Sequence, residues 1–270
     1  EKPLEVTLAR CDELNAACAQ AGVTVAGILP RRFGSGAVAL KAALTAGRFG
    51  KLTLAGALIP WWRTQAYYDS AAWRGTFALD GGGAVMNQGI HTIDLLLWFL
   101  GEPKRVSATA GLVAHDGIEV EDIAAGWIEF ANGCRATLAS STACWSGTGF
   151  PAEIRIHGTT GAAVLRDDKL TAFEFEKPLP SDAAVLAPAT EGGGAGANDP
   201  KAIGHAWHRS NLEDAVAAIR AGQRPAVDGA EGRKAVELIL ALYQSAQAGG
   251  APVDLPLAKD PSLKKLGSKS

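Results

Sequence analysis

The sequence predicts an α+β fold: a large open, mostly antiparallel sheet with helices on one face, preceded by a helix and a strand of α/β character. Three observations lead there. Seven strand-like runs follow one another between residues 51 and 175, separated by Gly, Asn-Gly and Gly-Thr-Thr-Gly turn signals. Helical periodicity flanks that block on both sides. Ahead of it, "VTVAGIL" (23–29) is a β-branched run closed by Gly22 and Pro30, as a buried strand would be, and it directly follows a helical segment.

Taken in order, residues 4–21 place Leu4, Leu8, Cys11, Leu14 and Cys18 close to helical spacing, with Gly22 where a C-terminal cap belongs. "PRRFGSG" (30–36) reads as a crossing between domains, and 37–46 as a short helix ending at Gly47. The strands are "KLTLAGALI", "KRVSATAGLV", "EDIAAGWIEF", "GCRATLASSTACW", "AEIRIHG", "AAVLR" and "KLTAFEF"; in "AEIRIHG", Ile154 and Ile156 face one way and Glu153, Arg155 and His157 the other. Between the first two, three glycines lead into "AVMNQGIHTIDLLLWFL" (84–100), a helix of about four turns stopped by Gly101 and Pro103. Residues 181–200 form a low-complexity loop, 206–221 and 230–247 two amphipathic helices, and the tail from Pro256 is expected to fray. The expected domains are therefore 1–30, 31–255 and a tail, 256–270.

With 270 residues and a net charge of -2, the chain has enough apolar content for a sizeable core and no nucleic-acid footprint. No apolar stretch approaches bilayer-spanning length. Cys11, Cys18, Cys134 and Cys144 form no Cys-x-x-Cys pair, so they read as free thiols in a reducing, cytoplasmic setting. The chain opens on Glu1-Lys2-Pro3 and its one methionine is Met86, so residue 1 is read as something other than a translation start.

The polar residues of the central helix carry the chemistry. Asn87 and His91 are four apart and share a face, with Asp94 a turn further on, while Gly81, Gly82 and Gly83 permit close backbone approach. A ligand site and a purely local structural cluster both account for this. A zinc site is the weaker reading, because neither a second ligand pair nor His-Glu-x-x-His is present; no metal is expected. Upstream, "WWRTQAYYDSAAWRG" concentrates tryptophans, tyrosines and arginines, as a site for polyhydroxylated ligands does and as a core patch or dimer interface also does.

The run "YYDSAAWRGTFALDGGGAVMNQGIHTIDLLLWFLGEP" (67–103) closely resembles the central signature of the Gfo/Idh/MocA oxidoreductases, the glucose-fructose oxidoreductase and inositol dehydrogenase family. Glu1-Lys2-Pro3 looks like that family's hallmark closing its cofactor domain, and residues 204–246 are similar to its C-terminal helices. The resemblance implies that residues 1–30 are the last helix and strand of a Rossmann domain whose Gly-x-Gly-x-x-Gly fingerprint lies outside this chain, and that the remainder is the family's substrate-binding, catalytic and oligomerisation domain.

It further implies hydride transfer between NAD or NADP and a hydroxyl of a sugar, amino-sugar or polyol. Lys2, Asn87 and His91 match the catalytic positions, with His91 as general base at an ordinary pKa near 6.5 and Lys2 on the reacting oxygen. Glu1, Lys2 and Pro3 lie on the cofactor side, Pro3 restricting the lysine's backbone. Asn87 departs from the usual Asp-x-x-x-His, and an amide only orients or binds; Asn-Gln-x-x-His belongs to a branch that includes dehydrogenases of nucleotide-linked amino sugars. Tyr67, Tyr68, Trp73 and Arg74 are the expected substrate contacts, with Arg32 and His205 as weaker ones. A homodimer or higher homo-oligomer is expected. Two other readings stand beside this one: a redox-neutral, NAD-dependent glycosidase, and a non-catalytic sugar-binding or dimerisation module.

Overall fold

A computed structural model of the chain describes residues 1–186 and 205–267. The loop expected over 181–200 falls outside them from residue 187 onward. The helices are α1 (Leu8–Gln20), α2 (Ser35–Thr45), α3 (Gln65–Asp69), α4 (Ile90–Leu100), α5 (Asp182–Val185), α6 (Ala206–Arg220) and α7 (Gly229–Gln247). The strands are β1 (Leu52–Pro60), β2 (Pro103–Gly111), β3 (Ile123–Phe130), β4 (Arg135–Ser141), β5 (Glu153–Gly158), β6 (Gly161–Arg166), β7 (Lys169–Phe175) and the short β8 (Val253–Asp254). They form one sheet in the order β7-β6-β5-β1-β4-β3-β2-β8. Every pairing is antiparallel except β1 with β4, where Ala57 sits opposite Leu138 in parallel register.

Period-two burial decides which face carries the helices. Ala55, Ala57 and Ile59 of β1, Val106 and Ala108 of β2, and Ile128 and Phe130 of β3 are buried in one core with α4 and α7. On the opposite face Leu54, Leu58, Ile123 and Trp127 are exposed. α4 is apolar nearly all round, as a helix caught between a sheet and α7 must be.

Three sequence expectations are corrected. Residues 23–29 form no strand: Ala26 makes one bridge to Asp228, and Gly27 N–H donates to Val227 O at 2.8 Å. A β-branched run is a strand only where a neighbouring strand takes its hydrogen bonds; here the partner is the turn before α7. α1 begins at Leu8, not at residue 4, because the Thr7 hydroxyl accepts from Arg10 N–H and fixes the cap there. The tail does not fray from Pro256. The Asp260 carboxylate accepts from Leu8 N–H and Ala9 N–H at 2.6 and 2.9 Å, and Leu257 and Leu263 pack on the core.

The segment entering α4 also differs from one straight α-helix. Residues Ala84–Gly89 form a wider π turn before α4 starts at Ile90. Its cause is a buried carboxylate: Glu121 accepts from Gly83 N–H at 3.0 Å and Val85 N–H at 2.8 Å, while Ser140 Oγ donates to Ala84 O at 2.9 Å. The glycines allow close packing on neighbouring elements. A Cβ on Gly83 would lie 1.7 Å from Glu121 O, and one on Gly82 would lie 2.1 Å from the Tyr243 hydroxyl.

Candidate active site

A cavity of about 420 Å³ opens where the chain start, the 3-10 turn Pro30–Phe33, the end of β1, the π turn and α6 meet. Its size suits a small ligand. Lys2 enters from the chain start, Asn87, Gln88 and His91 from the π turn and α4, and Tyr67, Trp73, Arg74 and Asp80 from the segment between β1 and the glycines.

Lys2 Nζ donates to the backbone oxygen of Asn87 and, at 3.2 Å, to its side-chain Oδ1. Burial lowers the Lys2 pKa to about 8, with nearby Asp80 opposing that shift and Arg74 adding to it. His91 lines the same cavity. Burial drives its pKa well below 6.5, with the charges of Lys2, Arg31 and His208 adding to the effect. At neutral pH the pair is therefore a neutral imidazole beside an ammonium, and His91 is not the ordinary-pKa histidine that the sequence suggests.

The walls are aromatic and cationic. The Arg74 guanidinium lies 4.2 Å from the Tyr67 ring centroid and 4.4 Å from that of Trp73, and its Nη1 donates to the Tyr67 hydroxyl at 2.7 Å. Deeper in, Arg31 pairs with Asp168 at 3.4 Å and lies over the Trp61 ring at 5.6 Å. Four buried polar atoms on lining residues have no hydrogen-bond partner among the described residues: Trp61 Nε1, Gln88 Oε1, His91 Nδ1 and His208 Nδ1. Buried polar groups left unpaired are costly, and four converging on one cavity mark a place shaped for a polar molecule.

Residues 37–164 match the family pattern described as the GFO/IDH/MocA C-terminal domain. That stretch is thereby a Gfo/Idh/MocA C-terminal domain. A D-xylose 1-dehydrogenase (NADP(+)) of Haloferax volcanii is 30% identical over 171 residues, 63% of this chain and 47% of the relative, so the match spans about half of that protein's length. The WlbA dehydrogenase of Bordetella pertussis, solved with NADH and UDP-GlcNAcA, superposes with a TM-score of 0.84 at 26% identity, covering 95% of this chain and 72% of that one. The corresponding enzyme of Chromobacterium violaceum, with the same two ligands, gives 0.81 at 29% identity over 95% and 70%.

Of the residues singled out in the sequence, Glu1, Lys2, Pro3, Tyr67, Trp73, Arg74, Asn87 and His91 line this same cavity. Three do not. Tyr68 lies buried behind it, its hydroxyl 2.7 Å from Thr142 Oγ1 and its ring against His115. Arg32 is spent in a buried fork on Asp94, at 2.9 and 2.6 Å, with Glu231 at 2.8 Å, which also removes Asp94 from the site. His205 is exposed at the start of α6, and it is His208, one turn on, that lines the cavity. Sequence reasoning passed over Asp80, Gln88, Trp61, Arg31, Asp168 and His208. Trp61 stood in the quoted aromatic run and Gln88 in the Asn-Gln-x-x-His motif, whereas Asp80 and Asp168 gave no signal. Among the described residues no three His, Cys, Asp or Glu side chains cluster as a metal site requires, and no helix is long and apolar enough to cross a membrane.

Proposed function

We propose that this chain supplies the substrate half of an NAD(P)-dependent dehydrogenase acting on a hydroxyl of a sugar, amino-sugar or polyol, in a cytoplasmic homo-oligomer. The observation that supports this most is that Lys2 and His91, 89 positions apart in sequence, line the same cavity beside Asn87. On this reading residues 1–30 end a dinucleotide-binding domain, and the exposed Leu54, Leu58, Ile123 and Trp127 face a second copy.

The chemistry of the donor set fits a nicotinamide partner. Side chains hold and move protons but accept no hydride, so an alcohol oxidation here needs a redox group; nicotinamide, when bound, takes the hydride. The chain does the rest. Neutral His91 accepts the hydroxyl proton as charge leaves the carbon, its low basicity limiting any idle protonation at pH 7. The Lys2 ammonium lies against the same oxygen and stabilises its developing negative charge, and burial strengthens that interaction by excluding water. Arg74 and the faces of Tyr67 and Trp73 bind the apolar C–H side and the outer hydroxyls of the ring.

The test is nicotinamide absorbance during incubation of this chain joined to its dinucleotide-binding half with NAD or NADP and a panel of free and nucleotide-linked sugars. Net accumulation of reduced cofactor supports the reading. Cleavage of a glycoside without net reduction supports the redox-neutral alternative, and sugar binding with neither reaction supports the non-catalytic module.

A further inference from the structure

Asp80 precedes the three glycines, is 4% exposed and lines the cavity. Its Oδ2 accepts from Gly75 N–H at 2.9 Å, and its Oδ1 accepts from the side-chain Nδ2 of Asn87. A carboxylate only accepts hydrogen bonds, so Asn87 must turn its NH₂ toward Asp80 and its oxygen the other way. Three donors then use that oxygen: Lys2 Nζ at 3.2 Å, Gln88 Nε2 at 3.2 Å and the Tyr67 hydroxyl at 3.4 Å. With the amide reversed, its NH₂ would confront the Lys2 ammonium and the Gln88 NH₂, donor against donor. The direction passes on. Because Gln88 spends its NH₂ on Asn87 and on the Tyr67 hydroxyl at 3.0 Å, its own oxygen is the atom left without a partner among the described residues.

We propose that Asp80 is a positioning residue: one carboxylate fixes the direction of the Asn87–Gln88 amide pair, and through Asn87 it aims the Lys2 amine into the cavity. The proposal rests on the dehydrogenase reading, in which Lys2 meets the reacting oxygen. It also accounts for the amide at position 87, since the site keeps its carboxylate seven positions earlier in the chain, behind Asn87 instead of in its place. A charge at Asp80 additionally holds the Lys2 ammonium against the opposing effects of burial, Arg74 and Arg63, with Glu1 acting in the same sense as Asp80 and neutral His91 beside them.

The test compares the wild-type protein with Asp80→Asn, Asn87→Asp and the double variant that exchanges the two groups, each first checked for an unchanged circular dichroism spectrum. One readout needs neither cofactor nor turnover: the pH midpoint of Lys2 acylation by trace acetic anhydride, read by mass spectrometry. The other is the split between kcat and KM. Asp80→Asn is expected to lower the Lys2 midpoint by about half a pH unit or more and to cut kcat by about tenfold or more, with a smaller change in KM. The exchange variant, with its carboxylate returned beside Lys2, is expected to recover most of both. A Lys2 midpoint indifferent to Asp80→Asn overturns the positioning role, as does an exchange variant no better than the single one. Should Asp80→Asn fail to fold, the exchange variant against wild type decides alone. A shifted midpoint in a protein that oxidises nothing leaves the positioning role standing and removes the dehydrogenase reading; normal turnover in Asp80→Asn does the reverse.

Discussion

The amine of Lys2 and the side-chain oxygen of Asn87 lie 3.2 Å apart across 85 positions of sequence. Holding a long, flexible lysine at the far end of such a loop costs conformational entropy, and burial costs it further by lowering its pKa to about 8. A lysine kept only for structure is normally found with its ammonium in water. Its position here, beside a histidine whose pKa burial depresses, supplies the ammonium and the neutral imidazole that the proposed dehydrogenase reading needs.

Replacing Lys2 or His91 by alanine is expected to lower kcat by about a hundredfold or more in the protein supplied with cofactor and substrate, without a comparable loss of stability. The kcat/KM profile of the wild-type protein should fall on its alkaline side near pH 8, as the Lys2 ammonium is lost, and show no acid limb near 6.5, because His91 is already neutral there. Steady-state kinetics across pH check both; an acid limb at 6.5 would count against the assignment of His91.

The sheet was legible because its signals are local. Alternation and turn residues act within a few positions, and the seven strand-like runs all appear as β1 to β7. The failures share one cause, contacts between residues far apart in sequence. "VTVAGIL" carries strand composition, but its hydrogen bonds from Ala26 onward go to the turn before α7 and to the Asn211 side chain of α6 instead of a neighbouring strand. The π turn that positions Asn87 depends on Glu121, 36 positions beyond Val85. Arg32 looked available for a ligand until the fold placed Asp94, 62 positions away, under its guanidinium. Asp80, a lone aspartate before glycines, acquires its meaning only from Asn87 across the turn.

Arg32 and Asp94 form a buried, forked ion pair with side chains 4% and 2% exposed. Removing one partner leaves the other charged in a dry interior, so Arg32→Met is expected to cost about 3–5 kcal/mol in urea unfolding. Converting both, Arg32→Met with Asp94→Leu, should recover at least half of that loss. A single variant as stable as wild type would show that the pair contributes nothing.

Glu121 makes the stability of the protein depend on pH. Burial raises its carboxyl to about 7 from an ordinary value of 4.5, against the lowering effect of the Val85 and Gly83 amides and the Tyr243 hydroxyl. The folded state therefore holds a proton that the unfolded chain releases. This contribution is fully present below pH 4.5, declines as pH rises, and is lost above about 7, amounting to about 3 kcal/mol over that window. Glu121→Gln should be less stable at pH 5, because its NH₂ faces a backbone N–H, and its melting temperature should lack that component of the decline between pH 5 and 8. Parallel slopes in the two proteins would refute the linkage.

The same tie between distant segments makes the tail testable. Asp260 accepts from the first free amides of α1, Leu8 N–H and Ala9 N–H, across 252 and 251 positions, and so places a carboxylate at the positive end of that helix. α1 packs on α7, and the lysine of the candidate site stands just ahead of its cap. Asp260→Ala is expected to lower stability by about 1 kcal/mol, and to speed hydrogen exchange at Leu8 and Ala9 while leaving the amides of β1 and β4 unchanged. Truncation after Pro256 should cost more, because it also uncovers the apolar surface beneath Leu257 and Leu263. If exchange at Leu8 and Ala9 is the same with and without the Asp260 carboxylate, the tail is not what fastens the start of α1, and the placement of Lys2 owes nothing to it.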